Sequence, residues 1–597
     1  MSFLSRVVAL NRKAVVRMRT QRWDDPADGG QIAVEGVRKA RGAQTRSRLF
    51  LIMFGFLALY GLVGARMVQF GSDREETTAS IPPPNRLLAS RPDILDRNGR
   101  VLATDIRTVS LYAEPRKIVD ADDAVEKLST VLPDLDYKDV YRKLKSDSGF
   151  QWLRRQLTPK QQSEILSLGI PGIGFRPETR RFYPSGATTS HVVGFVNIDN
   201  VGIAGMEKYI DSEGLSALAS AGLTVQEPMQ PVHLSIDLRV QHIVRDVLQA
   251  GMERYQSIGA GAVVLNINTG EVMALASVPD FDPNNPVDAL KKDRLNRMTA
   301  GTYEMGSTFK TFTSAMALDT GTSQMNTVYD VSHPFRIDGF TIHDFDHEPG
   351  HLTVPEVFIY SSNIGSAQEA LRVGVDGHEA FLRKLGLLTR VHTELPEIAT
   401  PIVPQKWKRI NSVTIAFGHG VSVTPLQEAV GAAAVLNGGY YMNPTFLPRT
   451  EAEAHATAKR VLKPQTSIDM RYLYRLNVLH GSGSKADIQG YRVGGKTGTA
   501  DKVENGRYSK QKNFTDFMAA FPMDDPQYIV LVCVDEPKPT KSKYGFTAGM
   551  NAAPMAGEII RRASSALGVV PKFGVNTAQE LLQQTQKAQN SASLVSF

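Results

Sequence analysis

Tyr303-Glu304-Met305-Gly306-Ser307-Thr308-Phe309-Lys310 places a hydroxyl and an amine three residues apart. On a helix, positions i and i+3 share one face, one turn apart. The amine can then take the hydroxyl proton as the oxygen attacks a carbonyl carbon. Serine alone is a weak nucleophile at neutral pH, so the neighbouring base gives the pair its chemical meaning. Gly306 suits a tight turn into a helix start, where backbone N–H groups and the positive dipole end favour a developing oxyanion. A second cation nearby would push Lys310 toward its neutral, basic form. Taken alone, this spacing arises by chance in most long chains.

Two further segments remove the ambiguity. Ser361-Ser362-Asn363 follows at loop-like spacing, and Lys496-Thr497-Gly498-Thr499 comes much later. In this order the three motifs resemble those of serine penicillin-binding proteins and class A β-lactamases.

With 597 residues the chain is long enough for two domains with sizeable cores. Its single cysteine, Cys533, lies in the apolar run Tyr528–Val534 and reads as a buried structural thiol. The formal net charge is +7, and the first 48 residues, with eleven Lys/Arg against four Asp/Glu, account for that surplus. Charge concentrated at one end argues for membrane topology rather than for a nucleic-acid-binding face. Residues 49–65 carry no charge, Arg66 interrupts, and Met67-Val68-Gln69-Phe70 resumes the apolar run. A span needs about 20 residues, and Arg66 can snorkel at the far interface. The preceding Lys/Arg place the amino terminus in the cytoplasm. The basic region is too long for a cleaved signal peptide. A single-pass anchor with everything after it outside the cytoplasmic membrane is therefore expected, and the resemblance to penicillin-binding proteins implies that this is a bacterial inner membrane with the rest of the chain periplasmic. Residues 3–23 read as a basic surface helix or as disorder.

Ile81-Pro82-Pro83-Pro84 is a stiff spacer. After it, Arg91–Ala103 reads as a strand, an Asn98-Gly99 turn and a second strand. Residues 121–168 show helical periodicity through Val125, Leu128, Val131, Ile165 and Leu168. Then come Arg180-Arg181-Phe182-Tyr183-Pro184 and Gly202-Ile203-Ala204-Gly205-Met206-Glu207. Arg91, Ile94, Asp96, Arg97, Asn98, Gly99, Leu102 and Ala103 match the pedestal pattern of class B penicillin-binding proteins, which this block resembles. Pro92 departs from it, standing where that family usually has glycine. Asp96, Arg97 and Glu207 read as charges holding two domains together rather than as catalysts. No acidic motif of a glycan polymerase is present here.

His233–Leu238 opens the second domain, followed by an amphipathic helix through Val244 and Leu248. Ala262–Asn266 and Glu271–Ala276 flank Asn268-Thr269-Gly270 as a hairpin. His343, His347 and His351 alternate with Asp344, Asp346 and Glu348, but Pro349-Gly350 breaks any single face. They read as a polar hairpin at the rim of the site, not as metal ligands. Gly418-His419-Gly420 matches a family pattern whose middle residue is more often uncharged. Residues 514–536 supply two strand-like runs, and the Gln/Asn/Ser-rich end reads as poorly ordered.

The resemblance implies an α+β fold: a penicillin-binding/β-lactamase-like transpeptidase domain, its antiparallel sheet flanked by helices, with an elongated amino-terminal pedestal and one transmembrane helix. The segments are a basic cytoplasmic tail over 1–48, the anchor over 49–70, the pedestal over 71–232, the transpeptidase domain over 233–572 and the tail over 573–597. Within class B the likeness is to the septal branch, from the terminal Asn363 and the compact pedestal. It implies that Ser307 attacks the D-alanyl-D-alanine carbonyl of a peptidoglycan stem peptide with Lys310 as base. Ser361 and Lys496 would relay a proton, and Asn363 would bind the donor amide. Thr497 and Thr499 would hold the terminal carboxylate, and Gly498 would leave room for substrate backbone. The N–H groups of Ser307 and Thr499 would form the oxyanion hole. Neither metal nor other cofactor is expected. Implied partners are lipid-linked or nascent peptidoglycan, β-lactams, the membrane, an FtsW-like polymerase and divisome proteins; nucleic acid is not among them. An elongation-type transpeptidase, a D,D-carboxypeptidase and a penicillin-binding sensor or scaffold are the alternatives. A β-lactamase is disfavoured because Glu-x-x-Leu-Asn is absent.

Overall fold

The computed structural model describes residues 53–65, 91–212, 230–345, 350–504, 507–539 and 546–594. The chain divides into two units, Met1–Pro84 and Asn85–Phe597. In the first, residues 53–65 are helical with their apolar side chains exposed. No helix among the described residues is long and apolar enough to cross a membrane, and the rest of the expected anchor over 49–70 lies outside them.

The second unit is built around β1 (Gly259–Asn266), β2 (Val272–Val278), β3 (Gly494–Glu504), β4 (Arg507–Phe521) and β5 (Tyr528–Asp535). They pair antiparallel in the order β3-β4-β5-β1-β2. β1 and β5 read as almost unbroken apolar runs because both faces of the sheet are covered. On one face, Ala262, Val264, Val530 and Val532 pack against Val244 and Leu248 of α1 (Leu238–Tyr255) and Ile559 of the helix Ala552–Ala563. On the other, Val263, Leu265, Leu531 and Met518 join the core of α2 (Lys310–Thr320), α3 (Asn363–Val373), α4 (Pro425–Leu436) and α5 (Pro464–His480). The hairpin between β1 and β2 closes as its sequence predicts. The Asn266 carboxamide accepts from the N–H of Asn268 and Thr269, and Gly270 returns to the Asn266 carbonyl at 2.8 Å.

The pedestal has its own core. Strand Val101–Ala113 pairs with Gln151–Leu157 and Ile173–Phe182, and helices Ala121–Val131, Tyr137–Leu144 and Pro159–Ser167 bury Val125, Leu128, Val140 and Ile165 against them. The helical reading over 121–168 thus contains a strand it missed, Gln151–Leu157. Its Trp-Leu-Arg-Arg-Gln-Leu run carries no turn chemistry to flag the change. Asp96 and Arg97 do join the pedestal to the second domain. Asp96 accepts from the first amide of α1, Leu238, at 3.1 Å, and the Arg97 guanidinium donates to the Ser235 carbonyl at 3.2 Å and lies 3.7 Å from the Glu271 carboxylate. Glu207 does not. It is fully buried inside the pedestal, its two oxygens taken by Arg91 and Arg181.

The poorly ordered tail is also corrected. Thr577–Leu594 is a helix; Asn576 caps it by accepting from Gln579 N–H, and Leu581 is buried on the α5 side of the core. Polar composition concealed this apolar anchor.

Candidate active site

The three motifs meet in one cleft of about 670 Å³, lined by Ser307, Ser361, Asn363, Thr497 and Thr499. Ser307 stands in the 3₁₀ turn Gly306–Phe309 that runs into α2. That turn is held by close backbone packing. Gly306 has φ +57° and lies so near Thr499 that a Cβ would stand 2.6 Å from its carbonyl oxygen. Gly418 is pressed as tightly against Gly306, at φ +86°. Only glycine satisfies both demands.

Ser361 lies at the loop apex before α3 with φ +58°, a left-handed conformation that costs a non-glycine residue energy and that clusters at functional sites. In this pose Ser361 Oγ receives both lysines. Lys310 Nζ donates to it at 3.0 Å and Lys496 Nζ at 3.0 Å. Lys310 also donates to the Ser361 carbonyl and to Asn363 Oδ1, the latter at 2.8 Å. Both ammonium positions are buried. Burial first, and then the Lys496 charge, hold Lys310 well below the usual lysine range. Burial brings Lys496 down to about 7, with Asp516 pulling the other way. Loss of its proton, which burial favours, leaves Lys310 two N–H donors for the Ser361 carbonyl and Asn363 Oδ1 and makes the Ser361 hydroxyl its donor, so that this hydroxyl can pass a proton between the two lysines.

β3 is the edge strand of the sheet, so its side chains alternate between cleft and interior. Thr497 and Thr499 line the cleft; Thr497 shares a 2.6 Å hydrogen bond with Ser482, and Thr499 Oγ1 accepts from Ala548 N–H at 3.3 Å. Gly498 faces inward. A Cβ there would meet Asp516 Oδ1 and the Met305 carbonyl, each at 2.3 Å. The room this glycine leaves is filled from within the protein, a different reason from the approach of substrate backbone.

Ser482 and Phe546, which carry no signal in the sequence, also line the cleft, as does His419 of the Gly418-His419-Gly420 motif. Asp344, set aside with the histidines, fixes the second motif. Its carboxylate accepts the Ser362 hydroxyl at 2.7 Å and the Asn363 and Ile364 amides at 2.5 and 3.0 Å, capping α3. The His343 carbonyl accepts from Asn363 Nδ2 at 3.0 Å. Residues 346–349 of the expected rim hairpin lie outside the described residues, among which no metal-binding group of side chains occurs. A helix cap contributes about 1 kcal/mol, up to about 2. Asp344→Ala should therefore slow acylation of Ser307 by a penicillin by roughly tenfold, through displacement of Asn363, while Asp344→Asn keeps part of the rate. Stopped-flow acylation kinetics measure this; equal rates in both variants and wild type would refute it.

Comparison with known proteins gives the class. The Penicillin binding protein transpeptidase domain matches residues 260–561, and the Penicillin-binding Protein dimerisation domain matches residues 86–213. The chain belongs to the class B penicillin-binding proteins. It is 37% identical over 560 residues to the probable peptidoglycan D,D-transpeptidase FtsI of Caulobacter vibrioides, covering 92% of each chain. It is 31% identical over 507 residues to the peptidoglycan D,D-transpeptidase FtsI of Escherichia coli K12, covering 81% of this chain and 84% of that one. In fold it resembles penicillin-binding protein 3 of Mycobacterium tuberculosis, solved with aztreonam. The TM-score is 0.62 at 23% identity, over 81% of this chain and 97% of the other.

Proposed function

We propose that the protein is a serine-type peptidoglycan D,D-transpeptidase that cross-links stem peptides during septal wall synthesis through an acyl-enzyme on Ser307. The observation that carries this reading is the convergence of Lys310 and Lys496 on Ser361 Oγ, each at 3.0 Å, in the cleft that holds Ser307. The transpeptidases among its relatives, at 37% and 31% identity over most of both chains, support the same reaction and the septal role. Lys310 takes the Ser307 proton as its oxygen attacks the penultimate D-alanine carbonyl, and terminal D-alanine leaves with a proton relayed through Ser361 and Lys496. The Thr497 and Thr499 hydroxyls and the Lys496 charge receive the terminal carboxylate. Asn363 holds the donor amide, and the Ser307 and Thr499 amides receive the oxyanion. An amine of a second stem peptide then takes the acyl group. A β-lactam follows the first half and remains as an ester on Ser307.

The proposal extends to topology. The uncharged run within 49–70 anchors the chain once, with 1–48 in the cytoplasm and both the pedestal (71–232) and the transpeptidase domain (233–572) in the periplasm. An FtsW-like polymerase and other divisome proteins are the expected partners. The test is labelling with a fluorescent penicillin followed by peptide mapping. The adduct is expected on Ser307 in the wild type and to be lost in Ser307→Ala; an adduct on another residue overturns the assignment.

A further inference from the structure

Two buried carboxyl groups beneath the cleft take no part in the steps above. Asp516 lies mid-strand in β4, directly opposite Gly498 on β3 and Cys533 on β5. Its Oδ1 fills the space that Gly498 leaves. Glu428 projects from α4, which packs on this face against β5 and β1, where Cys533 pairs with Gly261. Both residues are wholly buried, and none of their four carboxyl oxygens has a hydrogen-bond partner among the described residues. The Thr308 hydroxyl acts on both but donates its proton to the Met305 carbonyl at 2.8 Å. Thr308 is the residue after the nucleophile, so the pair lies directly under the reacting turn.

Asp516 raises the Glu428 carboxyl, and two carboxyl groups buried on the helix-covered face of one sheet cannot both be ionised in its dry interior. A proton on one is the donor that the other lacks. The titratable groups facing the pair are Lys496 from β3, Tyr474 from α5 and Cys533 from β5; among them only Lys496 is a cation. A wholly neutral pair would strip Lys496 of the one anion that acts on it, since its hydrogen bonds run to Ser361 Oγ and the Thr497 carbonyl.

We infer that Glu428 and Asp516 share one proton beneath the cleft, and that the single negative charge left on them keeps Lys496 an ammonium while Lys310 stays neutral. This rests on the transpeptidase reading and supplies what that reading lacks, a reason for two lysines on one hydroxyl to differ in charge. The anions near Lys310 compensate it less. Asp344 is engaged by three donors, and Glu369, buried against Ser314, is raised to about 8 by burial and is protonated near neutrality. Asp516 and Glu428 are thus positioning residues, acting through Lys496 rather than on substrate.

The test is the pH dependence of Ser307 acylation by a fluorescent penicillin in the full-length protein. The rate should rise as Lys310 loses its proton and fall as Lys496 loses its own. Asp516→Asn leaves the charge on Glu428, which does not act on Lys496 directly, and should move the alkaline limb to lower pH. Glu428→Gln confines the charge to Asp516 and should move that limb up. A purely structural role would lower the rate or the melting temperature and leave the limb in place. Limbs that stay put, or that move the same way in both variants, overturn the inference. If Glu428→Gln fails to fold, Glu428→Met removes the same proton site at similar volume, and an unmoved or lowered limb there overturns it equally. A wild type not labelled on Ser307 sinks the transpeptidase reading itself, whereas a labelled wild type with immobile limbs sinks this inference alone.

Discussion

Lys310→Met should acylate Ser307 with a penicillin about 10²- to 10⁴-fold more slowly than wild type, the usual range for loss of a positioned general base. The lysine is buried at the start of α2, and methionine keeps its length and apolar stem, so the protein is expected to fold. What disappears is the amine that donates to Ser361 Oγ and Asn363 Oδ1 and stands ready to take the serine proton. Lys310→Arg is the sharper variant. It preserves a cation but cannot be deprotonated at any useful pH, so it should be as slow as methionine despite its retained charge. Direction in pH follows from the same group. Because burial and Lys496 hold Lys310 below the ordinary lysine range, the wild-type rate should climb with pH as the depressed lysine becomes neutral, and both variants should lose that acid limb. Rapid-mixing kinetics across pH decide it: an arginine variant within threefold or so of wild type would show that Lys310 does not act as the base.

The reacting groups were legible because covalent chemistry constrains residue type and spacing together. Ser307, Lys310, Ser361 and Lys496 carry functions few other side chains supply, and the structure brings Ser361 Oγ to both lysines. The sheet was legible for a similar reason. A strand covered on both faces is apolar throughout, as in Tyr528–Asp535. What remained hidden was the support beneath. Asp344 sat among histidines and looked like rim polarity, yet its value lies in two backbone amides that the sequence cannot show. Gly498 was read from the cleft side, whereas strand alternation alone, with Thr497 and Thr499 facing the cleft, turns it toward the interior. Asp516 did leave a signal. A lone acid in the run Phe514-Thr515-Asp516-Phe517-Met518 is costly unless something within the fold answers its charge. The strand Gln151–Leu157 left none, because its pairing partners are decided by the tertiary packing of the pedestal.

Removing the Glu207 carboxylate should destabilise the pedestal by about 3–5 kcal/mol, the cost of breaking a buried ion pair from one side. Glu207 is completely buried, accepting from Arg91 Nε at 2.8 Å and from Arg181 Nε at 2.7 Å. Arg181 is buried too, with Asp105 and the Pro92 carbonyl as its other partners at 3.2 and 2.8 Å. Arg91 keeps Asp211 at 2.6 Å and the Glu207 backbone carbonyl at 2.8 Å. Glu207→Ala leaves two guanidinium groups sharing the remaining acids in a dry interior, whereas Glu207→Gln retains acceptor geometry and should lose less. Because the full-length chain has more than one core, a single melting temperature would blur the effect. Hydrogen exchange resolves it by segment. Amides of Val101–Ala113 and Ile173–Phe182 should exchange faster in Glu207→Ala, while those of Tyr528–Asp535 keep wild-type protection. Unchanged exchange in the pedestal strands would show that the two arginines find sufficient compensation elsewhere. The network would then contribute specificity of packing rather than stability.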